Sequence, residues 1–341
     1  MKQVSWHKFV VICTLLITIL MTGCNTKTNS TNAKGKKNNE KKIVVYSAGP
    51  KELAEKIQKE FEKKTGTKVE MFQGTTGKIL ARIEAEKKKP VVDVVVLASL
   101  PAMEGLKKDG QTMAYKDAKQ VNQLRPEWSD ENGHYFGYSA SALGIVYNTK
   151  IVKTAPSDWT DVTKSEWEGK VNIPDPTLSG SALDFVTGYV KKNGEAGWNL
   201  FEQIKKNKAT VSGANQEALD PVITGAKDIV LAGVDYMVYS AKEKGEPIDI
   251  VYPKSGTVIS PRVAGIMKDA KNVESAKQFI DYLLSDEAQR LVSDAYLLPG
   301  RIDMKAGKRP NADEIPTIQI DWKTIQKEQE EDSKKFKKMF Q

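Results

Sequence analysis

The sequence predicts an α/β protein with two domains, each built on a mixed, mostly parallel sheet that is flanked by helices. Short apolar runs alternate with segments whose apolar residues recur every three or four positions, a rhythm typical of parallel sheets covered by helices. The rhythm begins at Ile43 and restarts after about residue 143, and a length of 341 residues fits two domains better than one.

The first half supplies three predicted strands and two predicted helices. The strands are Ile43–Tyr46, a segment around Val69, and Val94–Leu97. The helices lie between these strands. Gly66 ends the first helix and Pro90 stops the second.

The second half repeats the alternation with shorter strands. In chain order the predicted elements are a strand at Val171–Ile173, a helix from Ser179 through Tyr189, a helix through Trp198 and Ile204, a strand at Val211, a helix at Leu219–Ile223, a strand at Ile229–Ala232, a helix from Met237 towards Gly245, and a strand at Ile248–Val251. The highly charged stretch Lys323–Phe340 has few apolar positions and predicts a solvated helix on the surface.

The first residues predict export of the chain. A short basic head with Lys2 and Lys8 precedes the apolar run Phe9–Met21. This run is too short to span a hydrocarbon core of about 30 Å as a helix. The tail Met21–Cys24 resembles a bacterial lipobox, with Met21 where that pattern prefers Leu. The resemblance implies that residues 1–23 are a removed signal peptide and that Cys24 is lipidated.

Charge and cysteine content exclude several function classes. The net charge is +8, of which residues 1–23 contribute +2 and residues 24–42 contribute +5, leaving 8 − 2 − 5 = +1 for the body. A nearly neutral body lacks the excess of positive charge that a nucleic-acid-binding surface needs. The Asn-, Thr- and Lys-rich residues 24–42 predict a disordered tether. Because Cys13 and Cys24 both precede the body, we expect no disulfide, cysteine-bound metal or cysteine nucleophile there, and no cofactor.

Six segments occur in an order that resembles a family of transport receptors. They are Tyr46–Pro50, Gly74–Lys78, Asp93–Leu97, Tyr138–Gly144, Ser179–Ser181 and Asp235-Tyr236. Together they resemble the type II periplasmic binding proteins of the ferric-ion, phosphonate and sugar-phosphate branch, over the body from Ile43 to about Arg301. The resemblance implies two lobes, residues 43–141 with 262–341 and residues 142–261. It also implies crossovers near Ser141 and Pro261, which let the lobes close like a hinge on a solute.

Candidate ligand residues lie at strand ends and helix N-termini, where open α/β sheets bind their ligands. The segment Ser179–Ser181 precedes an apolar-periodic helix whose N-terminus favours an anion. In the ferric receptors that it resembles, the matching segment holds a phosphate; the plain alternative is an ordinary N-cap. The segment Gly74–Lys78 is a second candidate anion site, or simply a turn with a Thr cap, and its glycine spacing is not that of a P-loop. The candidate ligand-binding residues are Ser47, Thr75, Thr76, Gly77, Ser99, Ser139, Ser141, Ser179, Gly180, Ser181, Asp235 and Tyr236.

The resemblance leaves more than one solute open. Ferric receptors bind iron through a His, a Glu and two adjacent Tyr residues. Here Pro50 stands where the His would be, Ala98 or Ser99 stands where the Glu would be, and Asp235-Tyr236 replaces the tyrosine pair. Fe³⁺ needs several anionic oxygen or imidazole donors. We therefore expect a small phosphonate or phosphate ester, such as the zwitterion 2-aminoethylphosphonate with its ammonium group on Asp235. Ferric ion with phosphate and hexose phosphate remain alternatives.

The sequence therefore predicts a monomeric receptor without enzymatic activity. It would be lipid-anchored to the outer side of the cell membrane and would pass its solute to the permease of an ABC importer. An anchored phosphoester hydrolase is the alternative from another class, but no Gly-x-Ser-x-Gly elbow and no histidine cluster supports it. A structural or chaperone-like lipoprotein is a third alternative.

Overall fold

The computed structural model describes residues 41–341, so the predicted signal peptide 1–23, the predicted lipid site Cys24 and nearly all of the predicted tether 24–42 lie outside the described residues. The described chain forms eleven strands and ten α-helices. The strands are β1 Lys42–Ser47, β2 Lys68–Gln73, β3 Val94–Leu97, β4 Thr112–Met113, β5 Phe136–Asn148, β6 Val171–Ile173, β7 Thr210–Val211, β8 Ile229–Val234, β9 Ile248–Val251, β10 Ile259–Met267 and β11 Leu298–Pro299. The helices are α1 Lys51–Thr65, α2 Thr76–Ala85, α3 Leu100–Lys108, α4 Gly180–Asn193, α5 Glu195–Lys206, α6 Asn215–Ile223, α7 Asp235–Glu243, α8 Val273–Leu283, α9 Asp286–Asp294 and α10 Gln326–Phe340. None of the helices in this part of the chain is both long and apolar enough to cross a membrane.

The strands pair in the order β2-β1-β3-β10-β5-β8-β6-β7, with β4, β9 and β11 beside β10 or β5. Parallel pairs lie towards the two ends of this order, β1 with β2 and β3, and β6 with β7 and β8. The pairs in the middle, β3 with β10, β10 with β5 and β5 with β8, are antiparallel. The mixed α/β fold is therefore confirmed, with a larger antiparallel share than the alternation of strands and helices predicts.

The long central strand β5 joins the two halves of this order. As far as Ala142 it pairs with β10 and β11, and from Leu143 onward it pairs with β8 and β9. Twelve of its 13 residues are buried, so it lacks the alternation of polar and apolar residues by which a half-buried strand is recognised. The change of partners lies beside the predicted crossover at Ser141; the lobe boundaries themselves stay a prediction.

Amphipathic periodicity explains how the helices pack. Helix α1 buries Leu53, Ile57 and Phe61 on one face and ends at Gly66, whose φ of 70° is the left-handed conformation that glycine adopts without a steric cost. The ring of Phe61 lies edge-on to that of Phe279 on α8, with centroids 5.1 Å apart. The predicted end of this helix is confirmed.

The C-terminal helix α10 differs from its prediction. It is a helix, but it buries Gln329 and Phe336 rather than lying on the surface as a solvated element. The ring of Phe336 packs edge-on against that of Phe201 on α5 at a centroid distance of 5.6 Å. The helix also contacts α3 and α4, and its partly buried Met339 and Phe340 pack against the same core, so one face of a highly charged helix is fastened to the fold.

Candidate functional site

A polar patch interrupts the apolar centre of the sheet. Ser139 and Ser141 of β5 lie directly opposite Arg262 and Ser260 of β10. Residues two apart on a strand, and residues directly opposite on paired strands, point to the same face of a sheet. All four residues are at most 4% exposed. The two central strands therefore present three hydroxyls and one guanidinium on one buried face.

Arg262 has few partners for a buried cation. Its Nη1 is 3.4 Å from the hydroxyl of Ser139, and its Nε has no hydrogen-bond partner. The buried Arg301 and Arg309 each pair with a carboxylate, whereas across residues 41–341 Arg262 forms no salt bridge. Removing a charge from water costs several kcal/mol unless an opposite charge compensates it, by order of magnitude. Arg262 is therefore a buried positive charge that an anion would compensate.

The loop after β1 completes the surroundings of this guanidinium. A Cβ on Gly49 would lie 3.1 Å from Ser47 Oγ, 3.3 Å from Tyr138 Oη and 4.0 Å from Arg262 Cδ. The amide of Gly49 donates to Ser47 Oγ at 3.1 Å. The ring of Tyr236 has its centroid 5.8 Å from the guanidinium carbon. Burial raises the pKa of the Tyr236 phenol, which keeps it a neutral hydrogen-bonding group.

The N-terminus of α4 forms a second cluster of hydroxyls. Ser179 caps the helix by accepting from the amide of Ala182 at 3.2 Å, so the plain N-cap interpretation is confirmed for this residue. Its hydroxyl donates to Asn215 Oδ1 at 2.9 Å, and Asn215 Nδ2 donates to Ser181 Oγ at 3.2 Å. Asn215, the first residue of α6, thus joins two helix N-termini. Anion binding by these groups stays a prediction.

Three candidate segments lie in close contact with one another at Gly180, Thr76 and Ala98. A Cβ on Gly180 would lie 2.8 Å from both the carbonyl oxygen of Ala98 and the hydroxyl of Thr76, and one on Gly77 would lie 2.5 Å from the carbonyl oxygen of Thr177. Real Cβ atoms do not approach other atoms so closely, so only glycine fits at either place. The hydroxyl of Thr76 accepts from the amide of Ala98 at 3.2 Å.

Two further candidates have hydrogen-bond partners within the described chain. Thr75 caps α2, because its hydroxyl accepts from the amide of Lys78 at 3.3 Å. Ser99 donates its hydroxyl to Asp184 at 2.7 Å. In contrast, the buried hydroxyl of Ser141 has no partner and faces the same side as Arg262. Ser141 is therefore the candidate whose hydroxyl is most plainly available to a ligand.

Asp235 has an internal counter-ion that its sequence context did not predict. Its carboxylate forms a salt bridge with Arg309 and accepts from the Tyr252 hydroxyl at 3.0 Å and the Ala142 amide at 2.9 Å. A fourth donor, the amide of Tyr236, lies 2.7 Å away. The predicted contact with a ligand ammonium is untested, and it would require displacing Arg309.

Sequence reasoning missed Arg262 and Asn215. A signal for the arginine existed, since it is a lone basic residue in the apolar run from residue 258 to residue 267. The only sequence signal for Asn215 was its position at the start of a helix. The donors here are hydroxyls, amides and one guanidinium, and within residues 41–341 no group of three His, Cys, Asp or Glu side chains could hold a metal ion.

Comparisons with known proteins agree with this fold. A sequence model described as bacterial extracellular solute-binding protein matches residues 89–328. A putative 2-aminoethylphosphonate-binding periplasmic protein of Salmonella paratyphi A is 26% identical over 256 residues, covering 72% of this chain and 73% of its own. An Fe(3+)-binding periplasmic protein of Serratia marcescens is 25% identical over 293 residues, covering 82% and 83%. The periplasmic binding protein AfuA from Actinobacillus pleuropneumoniae, solved with exogenous fructose-6-phosphate, superimposes with a TM-score of 0.81 at 23% identity, over 88% of this chain and 99% of its own.

Proposed function

Since the chain belongs to the bacterial extracellular solute-binding proteins, we propose that its solute is a small phosphonate or phosphate ester held between two closing lobes. One observation carries this assignment: the buried guanidinium of Arg262 has no carboxylate partner in the described chain and lies among the hydroxyls of Ser47, Tyr138 and Ser139. A phosphonate supplies negative charge and oxygen acceptors together. Arginine suits this group because its planar donors match two oxygens at once.

The α4 N-terminus supports the same class of solute. Free backbone amides and the helix dipole favour negative charge there, and Asn215 holds the hydroxyls of Ser179 and Ser181 in one place. A zwitterion such as 2-aminoethylphosphonate would place its phosphonate among these donors and its ammonium group against hydroxyl oxygens. The name of the Salmonella relative agrees with this choice.

Electrostatics argue against ferric ion as the solute, although the Serratia relative is named for it. A trivalent cation placed beside Tyr236 would lie near Arg262, whose guanidinium is 5.8 Å from that ring. Like charges at such a distance repel strongly in a site of low dielectric. The positions of the expected iron ligands hold Pro50 and Ala98 or Ser99, which have no anionic side chain.

Hexose phosphate is a second candidate, and a groove favours it. The groove has a volume of about 420 Å³ and lies between Pro50 at the start of α1, Gln216 of α6, Tyr236 of α7 and Tyr296. Ligand pockets usually span roughly 300–1,000 Å³, so the groove has room for a sugar ring beyond the anion site. Tyr236 lines both the groove and the surroundings of Arg262.

We further propose that residues 1–23 are a removed signal peptide, that Cys24 is lipidated, and that residues 24–42 tether the body to the outer face of the cell membrane. The receptor then acts as a monomer, without catalysis, and delivers its solute to the permease of an ABC importer. Mass spectrometry of the mature N-terminus tests the anchor, since an unmodified Cys24 in the exported chain contradicts it.

The solute is tested by titration calorimetry of the full chain with 2-aminoethylphosphonate, hexose phosphates, inorganic phosphate, and ferric ion with phosphate. We expect a phosphonate or phosphate ester to bind, and Arg262→Met to weaken it roughly 30-fold or more, because truncating a buried charged partner costs about 2–5 kcal/mol. The matched control is Arg290→Met, which removes an exposed arginine of α9.

Each outcome separates the candidates. Binding of 2-aminoethylphosphonate alone selects the zwitterion, and binding of hexose phosphates selects the sugar ester. Binding of ferric ion with no loss in Arg262→Met would overturn the assignment.

A further inference from the structure

Asp184 on α4 is a buried carboxylate whose partners come from three other parts of the fold. Its Oδ1 accepts from the hydroxyl of Ser99, which precedes α3, and from Nε2 of Gln329 on α10, both at 2.7 Å. Its Oδ2 lies 2.5 Å from the hydroxyl of Ser260 on β10. The side chain is fully buried. One carboxyl group therefore joins four segments that are distant in sequence.

No lysine, arginine or histidine of the described chain forms a salt bridge or hydrogen bond with this carboxyl group. The charged groups on the surrounding elements pair elsewhere: Glu104 with Lys107 of α3, Lys191 of α4 with Glu328 of α10, and Glu195 of α5 with Lys335 of α10. Arg262 of β10 contacts Ser139, and half-buried Asp332 of α10 lies beside Thr187. The other titratable groups nearby are the buried phenols of Tyr138 and Tyr189. The remaining charged residues of α3, α4, α5 and α10 are exposed. An ionised Asp184 would thus be a buried anion without a counter-ion.

The hydrogen-bond geometry suits a neutral acid. The hydroxyl of Ser260 is also 3.4 Å from the carbonyl oxygen of Ala98. If Oδ2 carries a proton, it donates to Ser260 Oγ, and the serine hydroxyl donates onward to Ala98. Ser99 and Gln329 still donate to Oδ1, so the acid proton and the hydroxyl hydrogens of Ser99 and Ser260 each have an acceptor. Burial acts in the same direction, since it raises the pKa of Asp184 to about 7 despite three hydrogen bonds that lower it.

We propose that Asp184 is a positioning residue for lobe closure, and that the closed protein holds it as a neutral acid, so that closing takes up one proton. This inference rests on the proposed function, because closure is what the solute brings about. Ala98 and Ser99 belong to the first predicted lobe and Asp184 to the second. Opening would separate these residues and admit water to the carboxyl group, which restores an ordinary pKa.

The sign of the pH effect follows from this difference. The pKa of Asp184 is about 7 where residues of the two predicted lobes meet around it, compared with roughly 3.9 for a hydrated Asp. Because the closed form binds the proton more tightly, protonation of Asp184 stabilises closure fully below about pH 4. This stabilisation is lost as the pH rises through 7. Between pH 5 and 7 the closure constant should fall by up to tenfold per pH unit.

The test compares the full chain with Asp184→Asn, whose amide reproduces the neutral acid by donating to Ser260 and accepting from Ser99 and Gln329. Titration calorimetry with 2-aminoethylphosphonate at pH 6, in buffers of different ionisation enthalpy, measures proton uptake on binding. We expect the wild type to take up about one proton more than the variant. The ionisation of the phosphonate itself cancels in this difference. Equal proton uptake would overturn the inference.

A second measurement separates this inference from the choice of solute. If 2-aminoethylphosphonate does not bind, the same calorimetric comparison uses whichever of the hexose phosphates, inorganic phosphate or ferric ion with phosphate binds the full chain. We expect the wild type again to take up about one proton more than Asp184→Asn, because closure around any solute buries the same carboxyl group. Equal proton uptake with a solute that binds would show that closure does not hold Asp184 as a neutral acid, whatever the solute is.

Discussion

Arg309 and Asp235 form an ion pair in which both side chains are completely withdrawn from solvent. The arginine follows the last strand and the aspartate begins α7, so the pair joins two distant parts of the chain. The carboxylate also accepts from the amide of Ala142, where β5 changes its pairing partners. The pair therefore fastens the connection between the two halves of the sheet.

Breaking this pair should be costly. Arg309→Met leaves the carboxylate of Asp235 buried without its counter-ion, which lowers the free energy of unfolding by about 3–5 kcal/mol. Urea denaturation at pH 7 measures the change. The control is Lys308→Met, whose ion pair with Glu243 is 66% and 60% exposed and should contribute about 1 kcal/mol or less. Similar small losses in both variants would mean that the buried pair does not form in solution.

Replacing Arg262 should raise, rather than lower, the free energy of unfolding of the ligand-free chain. Because this guanidinium is buried without a carboxylate, Arg262→Met removes an uncompensated charge and should raise the free energy of unfolding by roughly 1 kcal/mol or more. The comparison is Arg301→Met, which removes an arginine paired with Asp286 and Asp303 and should cost about 3 kcal/mol or more. Denaturation without solute measures both. A loss of stability in Arg262→Met would show that this arginine has a partner in the free protein.

A methyl group on Gly180 should prevent close contact between the segments that surround the site. In Gly180→Ala the new Cβ would lie 2.8 Å from the Ala98 carbonyl oxygen and the Thr76 hydroxyl. We expect at least about a tenfold loss of solute affinity, which corresponds to 1.4 kcal/mol. Helix propensity would favour Ala, so α4 itself should persist. Gly307→Ala is the control, because its Cβ would have only Ser293 Oγ at 3.8 Å as a neighbour. Unchanged affinity in Gly180→Ala would mean that binding does not need this contact.

The C-terminal helix should contribute to stability through its buried face. Phe336 is 2% exposed and packs against Phe201, so Phe336→Ala should lower the free energy of unfolding by about 3–5 kcal/mol. Lys334→Ala, at an exposed position of the same helix, should change it by about 0.5 kcal/mol or less. Chemical denaturation of both variants measures the difference. Equal free energies of unfolding in the two variants would mean that α10 is the solvated surface helix that the sequence predicts.

Local periodicity was sufficient to place most elements of the fold. The strand at Val94–Leu97 and the helix that Gly66 ends agree with prediction, because their signals lie within a few neighbouring residues. The central strand β5 and its partner β10 were not predicted. A strand that is buried along nearly its whole length has no alternation, and only pairing shows that two such segments run side by side.

The sequence by itself determined the fold class, the order of its elements, and the hydroxyl-rich segments at strand ends and helix N-termini. Only the tertiary structure decided which charges are compensated. Arg309 lies 74 residues from Asp235, Ser260 lies 76 residues from Asp184, and Ser139 lies 123 residues from Arg262. The physical reason is that a charge or hydroxyl acquires its role from the groups that burial places beside it, and no local pattern encodes contacts across such distances in the chain.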